Sequence, residues 1–573
     1  MLTPWGETLD PNHILQEYPR PQLRRDSYLN LNGPWDYAFS DSPACPETWQ
    51  GKILVPFSPE SELSGVNRQL QPGEYLWYHR TVYLPAGFNR GRLLLHFGAV
   101  DQVASVYLNG REQITHVGGF TPFAADITAD AGDADVLELT VRVLDASDRA
   151  DQSRGKQKLK PGGIWYTAQS GIWQTVWLES VPENYIRGLR IIPHFDERQI
   201  ELWVAGNGNC TAQFCGECHE FPAGQPAVLD VPELHPWSPE DPYLYDLRLT
   251  LGDDVVDSYF AMRKFSVDTD ETGCPRLFLN NAPYFHNGLL DQGYWSDGLL
   301  TAPSDEALIF DIETAKHMGF NMLRKHIKLE PLRWYYHCDR LGMLVWQDMP
   351  SGGTRYRSAV VSAPLVTDIH LKDNKYALFG RKRPESRQQY YNELTELLNA
   401  LINCPCIAMW VPFNEGWGQF DAARVHDYLL EKDPTRTVDH ASGWHDQGIG
   451  QLKSEHVYFR RYRFAPDKLG RAVILSEFGG YNHRIDGHSF SAKNFGYKHF
   501  DSANSYRFAL QDLYRKQIAP AMQEGLAAAV YTQLSDVENE LNGLVTYDRR
   551  IVKISPELMR NIVRIPLTPE KEV

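Results

Sequence analysis

Two glutamates in the C-terminal half of the chain sit where chemistry is expected. Glu415 follows the apolar run Trp410-Val411-Pro412-Phe413 and is preceded by Asn414, and Glu477 follows Val473-Ile474-Leu475-Ser476. Each ends a stretch that reads as a buried strand, and glycine follows each within a few residues, so the backbone can turn and leave the carboxylate open. Two carboxyl groups brought together from different strands suit the cleavage of a glycosidic bond. One protonates the leaving oxygen while the other attacks the anomeric carbon. Retention of configuration requires the two groups ~5–5.5 Å apart.

Other groups at strand ends fit around that pair. Arg324 is a natural partner to keep one carboxylate ionised, and Asn414 is placed to bond a sugar 2-hydroxyl. Tyr462 is the candidate donor to the nucleophile's second oxygen. His326, Asp348, Trp417 and Trp444 complete the set expected to bind substrate. Each also has a plainer reading. Arg324 and His326 also read as strand-end ion-pair partners, Trp444 as rim packing rather than a sugar platform, and an isolated Glu-Gly is commonly just a turn. Two such glutamates, one directly after Asn, favour catalysis.

These residues need a scaffold that carries strand ends to one rim. From residue 268 onward, short apolar strands alternate with helical segments, the pattern of βα units around a parallel sheet. Eight strands are predicted: Tyr284–Leu290, Met322–His326, Leu344–Asp348, Ile407–Phe413, Thr437–Ala441, His456–Phe459, Val473–Glu477 and Ala527–Gln533. Helices are predicted at Ser304–Met318, Leu332–Leu341, Glu385–Asn403, Asp421–Glu431 and Ala503–Glu524. That is the make-up of a (β/α)8 barrel, whose catalytic groups sit at the C-terminal ends of the strands. The stretch from Ser351 to Glu385 is a long excursion for such a barrel, of the kind that shapes a substrate pocket.

The N-terminal part reads differently. Leu137, Leu139, Val141 and Val143 alternate with polar residues, and Asn109-Gly110 marks a tight hairpin after Ala104–Leu108. Residues 1–180 are therefore expected to form a jelly-roll β-sandwich. A shorter alternating region, 181–267, is expected to form an immunoglobulin-like sandwich, with Ile200, Leu202 and Val204 on one strand and Leu247, Leu249 and Leu251 on another. The whole is a multidomain chain, two β-sandwiches followed by a TIM barrel over 268–573.

Composition narrows the partners. With 573 residues the chain exceeds a single core, and its net charge of −16 disfavours nucleic acid, whose phosphates need a basic surface. No apolar run is long enough to span a membrane, and Met1–Glu7 lacks a secretory pattern, so a cytoplasmic protein is the expectation. Fifteen Trp and 29 Tyr offer flat faces for sugar rings as well as core material. The eight cysteines include Cys210, Cys215 and Cys218 followed by His219. That spacing touches haem-attachment and zinc patterns, but a second ligand pair is lacking, and reduced thiols on a hairpin are the favoured reading. No metal or cofactor is expected, and a homo-oligomer stays open.

Several further signatures accompany the glutamates: Ser170-Gly171-Ile172-Trp173, Trp237-Ser238-Pro239 with Pro242-Tyr243-Leu244-Tyr245, Gly319-Phe320-Asn321 leading to Arg324 and His326, and Cys338-Asp339-Arg340-Leu341-Gly342. With them the chain resembles glycoside hydrolase family 2, the family of β-galactosidases, β-glucuronidases and β-mannosidases, over nearly its whole length. The resemblance implies Glu415 as acid/base, Glu477 as nucleophile and a carbohydrate as substrate, with a terminal β-galactoside favoured. It departs from the large β-galactosidases at Pro161-Gly162-Gly163-Ile164-Trp165, where they carry an acidic residue, and it lacks the Asn-x-Lys element of glucuronidases. Arg460, Arg461 and Arg463 read as acceptors of a substrate carboxylate or, preferably, as surface ion-pairing groups. A non-catalytic sugar-binding barrel and an endo-acting or transglycosylating enzyme are the competing functions.

Overall fold

The structure, a computed structural model, describes residues 1–365, 367, 369–493 and 495–564. Its N-terminal sandwich packs a four-stranded antiparallel sheet (Tyr28–Asn30, Val176–Val181, Arg92–Phe97, Phe123–Asp126) on a six-stranded one built around Tyr75–Tyr83 and Val136–Leu144. The alternation read from the sequence is the packing pattern: Leu137, Leu139, Val141 and Val143 all lie in the core with Trp35, Leu95 and Val106. The hairpin joining Val103–Leu108 to Arg111–Val117 turns through Asn109 and Gly110, both with positive φ, as a two-residue loop demands.

The second sandwich is smaller. A three-stranded sheet (Gly188–His194, Gln199–Ala205, Ala227–Asp230) faces a four-stranded sheet (Glu217–Pro222, Asn209–Phe214, Tyr245–Leu251, Asp254–Phe260). Ile200, Leu202, Val204, Leu247, Leu249 and Leu251 fill the space between them. Cys210 is buried in this core, whereas Cys215 and Cys218 are exposed on the hairpin around residue 216. The prolines before Tyr245 carry Trp237 into a buried seat, where its indole Nε1 donates to Asp339 O at 2.7 Å and fastens this domain to the barrel.

The barrel strands are β1 (His286–Asp291), β2 (Met322–Lys325), β3 (Leu344–Asp348), β4 (Ile407–Val411), β5 (Thr437–Val438), β6 (Leu452–Val457), β7 (Ala472–Gly479) and β8 (Ala528–Thr532). They run parallel in the order β5-β4-β3-β2-β1-β8-β7-β6. Helices α1 (Asp305–His317), α2 (Leu332–Leu341), α3 (Pro384–Leu401) and α4 (Ala422–Lys432) pack outside. Two expectations shift. The sixth strand begins and ends earlier than His456–Phe459, and the helix expected over Ala503–Glu524 breaks into Ala503–Leu513, a π turn at Tyr514–Ile518 and Ala519–Glu524. Pro520 in the last segment cannot donate a backbone bond, which fits the break.

The first domain reaches over the barrel mouth. Ser351 O, in the excursion after β3, accepts from Arg154 N and Gly155 N at 2.9 Å, and buried Arg381 donates from Nη1 to Asp151 O at 3.2 Å. On the far side Thr167 N donates to Glu538 Oε1 at 2.7 Å, and Tyr166 Oη donates to Glu540. Loops after β3 and β8 are thus both held by one segment of the jelly roll.

Candidate active site

At the end of β4 the chain turns abruptly. Glu415 adopts φ of 49°, a left-handed conformation that side-chain-bearing residues seldom occupy. The turn is held by Glu415 N donating to Ser442 O at 2.8 Å and Trp417 N donating to Asn414 O at 2.9 Å. Gly416 follows at φ of 73°, where a Cβ would lie 2.6 Å from the His445 ring. The fold therefore turns the Glu415 carboxyl into the barrel mouth.

Glu477 arrives from β7, and the two glutamates converge. One oxygen of each carboxyl group and a ring nitrogen of His456 lie within 4.8 Å of one another. Their surroundings are unlike. Arg324, fully buried on β2, donates from Nη1 to Glu477 Oε1 at 3.2 Å and from Nη2 to Asn414 Oδ1 at 2.9 Å. The same guanidinium grips Asp348 through Nε at 3.1 Å and Nη2 at 3.0 Å. Tyr458 Oη donates to Glu477 Oε2, and its ring stacks on Tyr497 at 3.9 Å. Glu415 has one side-chain partner among the described residues, His456 Nδ1, 2.9 Å from Oε1.

These environments separate the two acids. Burial alone would raise Glu477, but His456, Arg324 and the first domain's Lys156 around it more than reverse this and hold it well below the usual carboxylate range. Burial raises Glu415, and the Glu477 charge raises it further against the opposing pull of His456 and Lys156. One carboxyl group stays ionised while its neighbour keeps its proton to higher pH. That is the division a nucleophile and a general acid need.

The remaining expected site residues fall into place unevenly. His326 Nδ1 lies 2.6 Å from Asp348 Oδ2, so both belong to the layer beneath the glutamates, and burial pushes Asp348 up to about 6 despite Arg324. Asn414 Nδ2 is buried with no partner among the described residues. Trp417 forms an aromatic wall with Trp165 at 5.1 Å and Tyr356 at 6.2 Å. Trp444 is buried with its ring 5.5 Å from that of His456. Tyr462 is a correction. It lies in the barrel core with its hydroxyl beside Glu455, outside hydrogen-bond geometry, and Tyr458 occupies the place expected of it. Because β6 ends at Val457, the first residue past the strand reaches the cleft, while Tyr462 lies four residues further along the loop. Arg460, Arg461 and Arg463 are exposed, and Arg461 donates to Lys516 O.

Two contributors escape the sequence reading, His456 and Lys156, while Tyr458 is legible at the end of the sixth strand but without its role. Lys156 comes from the first domain, is 6% exposed, and places its ammonium 5.4 Å from the Tyr166 ring and 5.9 Å from that of Trp417. No acceptor meets it among the described residues. A cavity of about 1170 Å³ lies elsewhere, between both sandwiches and the barrel, and is lined by His96, Trp177, Trp203 and Asn403 among others.

A parallel eight-stranded barrel with paired carboxyl groups at its C-terminal rim, capped by a jelly roll, defines a clear class. The family model for the glycosyl hydrolases family 2 TIM barrel domain matches residues 292–476, its sugar-binding domain 66–182, and a third family 2 model 204–263. The chain belongs to glycoside hydrolase family 2. It is 23% identical over 385 residues to a β-galactosidase of Thermoanaerobacter pseudethanolicus, covering 62% of this chain and 47% of that one. It is 24% identical over 496 residues to a putative β-glucuronidase of Formosa agariphila, covering 76% and 53%. It thus spans about half the length of these two relatives. A solved β-glucuronidase from an uncultured Clostridium superposes with a TM-score of 0.73 at 18% identity, over 95% of this chain and 99% of that one.

Proposed function

We propose that the chain is a retaining, exo-acting β-glycosidase with Glu477 as nucleophile and Glu415 as acid/base. The observation that carries this is that one oxygen of each carboxyl group lies within 4.8 Å of the other, nearer the ~5–5.5 Å spacing of retaining enzymes than the ~6.5–9.5 Å spacing of inverting ones. In the first step Glu477 attacks the anomeric carbon as the bond to the leaving oxygen breaks, and Glu415 gives that oxygen its proton. In the second, Glu415 takes a proton from water, which attacks the same carbon and releases Glu477. Arg324 and Tyr458 hold the nucleophile oriented and ionised. Asn414 Nδ2 is the free donor for the sugar 2-hydroxyl. The first-domain segment clasping the loops after β3 and β8 supports a closed pocket, hence removal of terminal sugars.

The test is turnover of an aryl β-glycoside. Glu477→Ala and Glu415→Ala should each lower kcat by ~10⁴-fold or more, the scale on which loss of a covalent-catalysis residue is felt. Azide should restore activity to one of them, with an altered anomeric product. A fully active Glu477→Ala enzyme would overturn the proposal and leave a sugar-binding role.

A β-galactoside is the first reading for the sugar, resting on the family pattern. Lys156 favours a second, a β-glycoside carrying a carboxylate, because its ammonium lies beside the aromatic wall with no hydrogen-bond acceptor among the described residues. Lys156→Met separates them. On the uronide reading, kcat/KM for an aryl β-uronide falls ~10²-fold, about the worth of one charge-assisted bond, while a neutral galactoside changes little. Equal losses on both substrates would leave Lys156 a charge-balancing role only.

A further inference from the structure

His456 stands between the two glutamates and is assigned no role by the mechanism above. Its Nδ1 is 2.9 Å from Glu415 Oε1, and its Nε2 is 3.1 Å from Ser442 Oγ and 3.7 Å from Glu477 Oε1. The imidazole is completely buried and tightly seated. A Cβ on Gly443, at φ of 84°, would come within 2.5 Å of Nδ1, so only glycine leaves room for the ring there. Below it, Ser442 Oγ is 3.0 Å from Ser476 Oγ, and Ser454 Oγ is 2.5 Å from Ser476 Oγ, a hydroxyl cluster joining the ends of β5, β6 and β7. A hydroxyl facing Nε2 can donate or accept, whereas a carboxylate oxygen facing Nδ1 accepts unless it carries the proton.

We propose that His456 is the positioning residue that decides which oxygen of Glu415 carries the catalytic proton. With Nδ1–H donating to Oε1, that oxygen is held as an acceptor throughout the cycle. The proton given to the leaving group, and later taken from water, then resides on Oε2. Oε2 has no hydrogen-bond partner among the described residues, and the Glu415 side chain keeps 13% of its surface exposed. The imidazole keeps its own proton in both steps. It also steadies the ionised form of Glu415 that must serve as base in the second step. The other groups whose charge is felt at Glu415 are Glu477 and Lys156, while Tyr458 and Tyr497, raised by burial and by the charge of the glutamates, face the pair as neutral hydroxyls.

The inference rests on the glycosidase reading, and its test is chosen to fail separately from it. Three variants, His456→Asn, His456→Leu and His456→Gln, are compared on aryl β-glycosides whose leaving groups either need protonation (phenyl) or do not (2,4-dinitrophenyl). Asn presents an amide N–H near the position of Nδ1; Gln reaches toward Nε2 instead, and Leu offers no donor. The Leu and Gln variants should lose ~10²-fold in kcat/KM on the phenyl glycoside, the lower end of what general-acid catalysis supplies, and only a few-fold on the activated one. Removing a donor to the ionised carboxylate raises the pKa of Glu415. The alkaline limb of kcat/KM should therefore move to higher pH, and turnover of the glycosyl-enzyme should weaken on the acid side. Asn should restore both limbs and the leaving-group pattern. If Leu does not fold, Gln and Asn carry the comparison. Equal losses on both leaving groups with unmoved pH limbs, or an Asn variant no better than Gln, would overturn the proposal and leave His456 a packing residue. Inactive Glu477→Ala alongside either result keeps the two readings distinct.

Discussion

Arg324 and Lys325 are consecutive residues of β2, both buried, and both paired with two carboxylates, yet they serve opposite sides of the barrel wall. Alternate residues of a strand point to opposite faces. Arg324 therefore enters the lumen and meets Asp348 and Glu477, while Lys325 faces the helical layer. There its Nζ donates to Asp291 Oδ2 at 2.6 Å and Glu330 Oε1 at 2.8 Å and lies 4.2 Å from the Trp334 ring on α2. Lys328 closes that outer cluster, donating to Glu330 Oε1 and to the carbonyls of Gly293 and Leu300. The outer cluster is closed to solvent and cements β1, β2 and α2. The inner one opens onto a cleft, leaves Asn414 Nδ2 without a partner among the described residues, and moves the acidities of two glutamates in opposite directions. Chemically similar ion groups thus divide into structure and chemistry according to which face of one strand they occupy.

The largest effect expected from breaking this contrast is on stability, at Lys325. Lys325→Met keeps the aliphatic length against Trp334 but strips buried Asp291 of its cation and leaves Glu330 to Lys328 alone, a loss of ~3–5 kcal/mol. Chemical denaturation should show it as a lower midpoint with an unchanged slope, and the folded fraction should keep its kcat within a few-fold. Next comes Arg324→Met. Here kcat/KM should fall ~10²–10³-fold, the scale of losing a preorganised charge at a reacting group, with a smaller drop in denaturation midpoint than Lys325→Met causes. The smaller stability loss is expected because Asp348, already raised to about 6 by burial, can take up a proton once its cation is gone. If the two variants behaved alike in both assays, the division into structural and chemical faces would be wrong.

How much of this was legible beforehand depended on where each group lies in sequence. Arg324, Asp348, Asn414, Glu415 and Glu477 all end apolar runs, so the strand pattern alone placed them at one rim. β6 hid its contribution. Its residues Lys453 and Glu455 are partly exposed, and its register with β7 shifts between Glu455 and His456, which blurs both the apolar run and its end. The sequence pattern starts that strand at His456, which hides a lumen group, and it favours Tyr462 over Tyr458 as the donor. Lys156 and Trp165 left no local signal, because they join the site through contacts with a domain more than 150 residues downstream. The first-domain fold was readable from period-two alternation, whereas what its loops touch was not.

The remaining effects test that misplaced tyrosine. Tyr458→Phe removes a hydroxyl donating to ionised Glu477 and should lower kcat by ~10–10²-fold, as expected for a bond to a charged group worth ~1.5–3 kcal/mol. The smallest effect belongs to Tyr462→Phe. Its ring packs in the barrel core, 5% exposed, and its hydroxyl is buried without a hydrogen-bond partner among the described residues. Deleting that oxygen keeps the packing and relieves an unsatisfied polar group, so stability should stay within ~0.5 kcal/mol or rise slightly, in contrast to the loss caused by deleting a satisfied one. Initial rates on an aryl glycoside should stay within two-fold, roughly the scatter of surface substitutions. A large drop in kcat for Tyr462→Phe with little change for Tyr458→Phe would reverse the assignment. It would also move the end of β6, and with it the seat of His456, four residues along the chain.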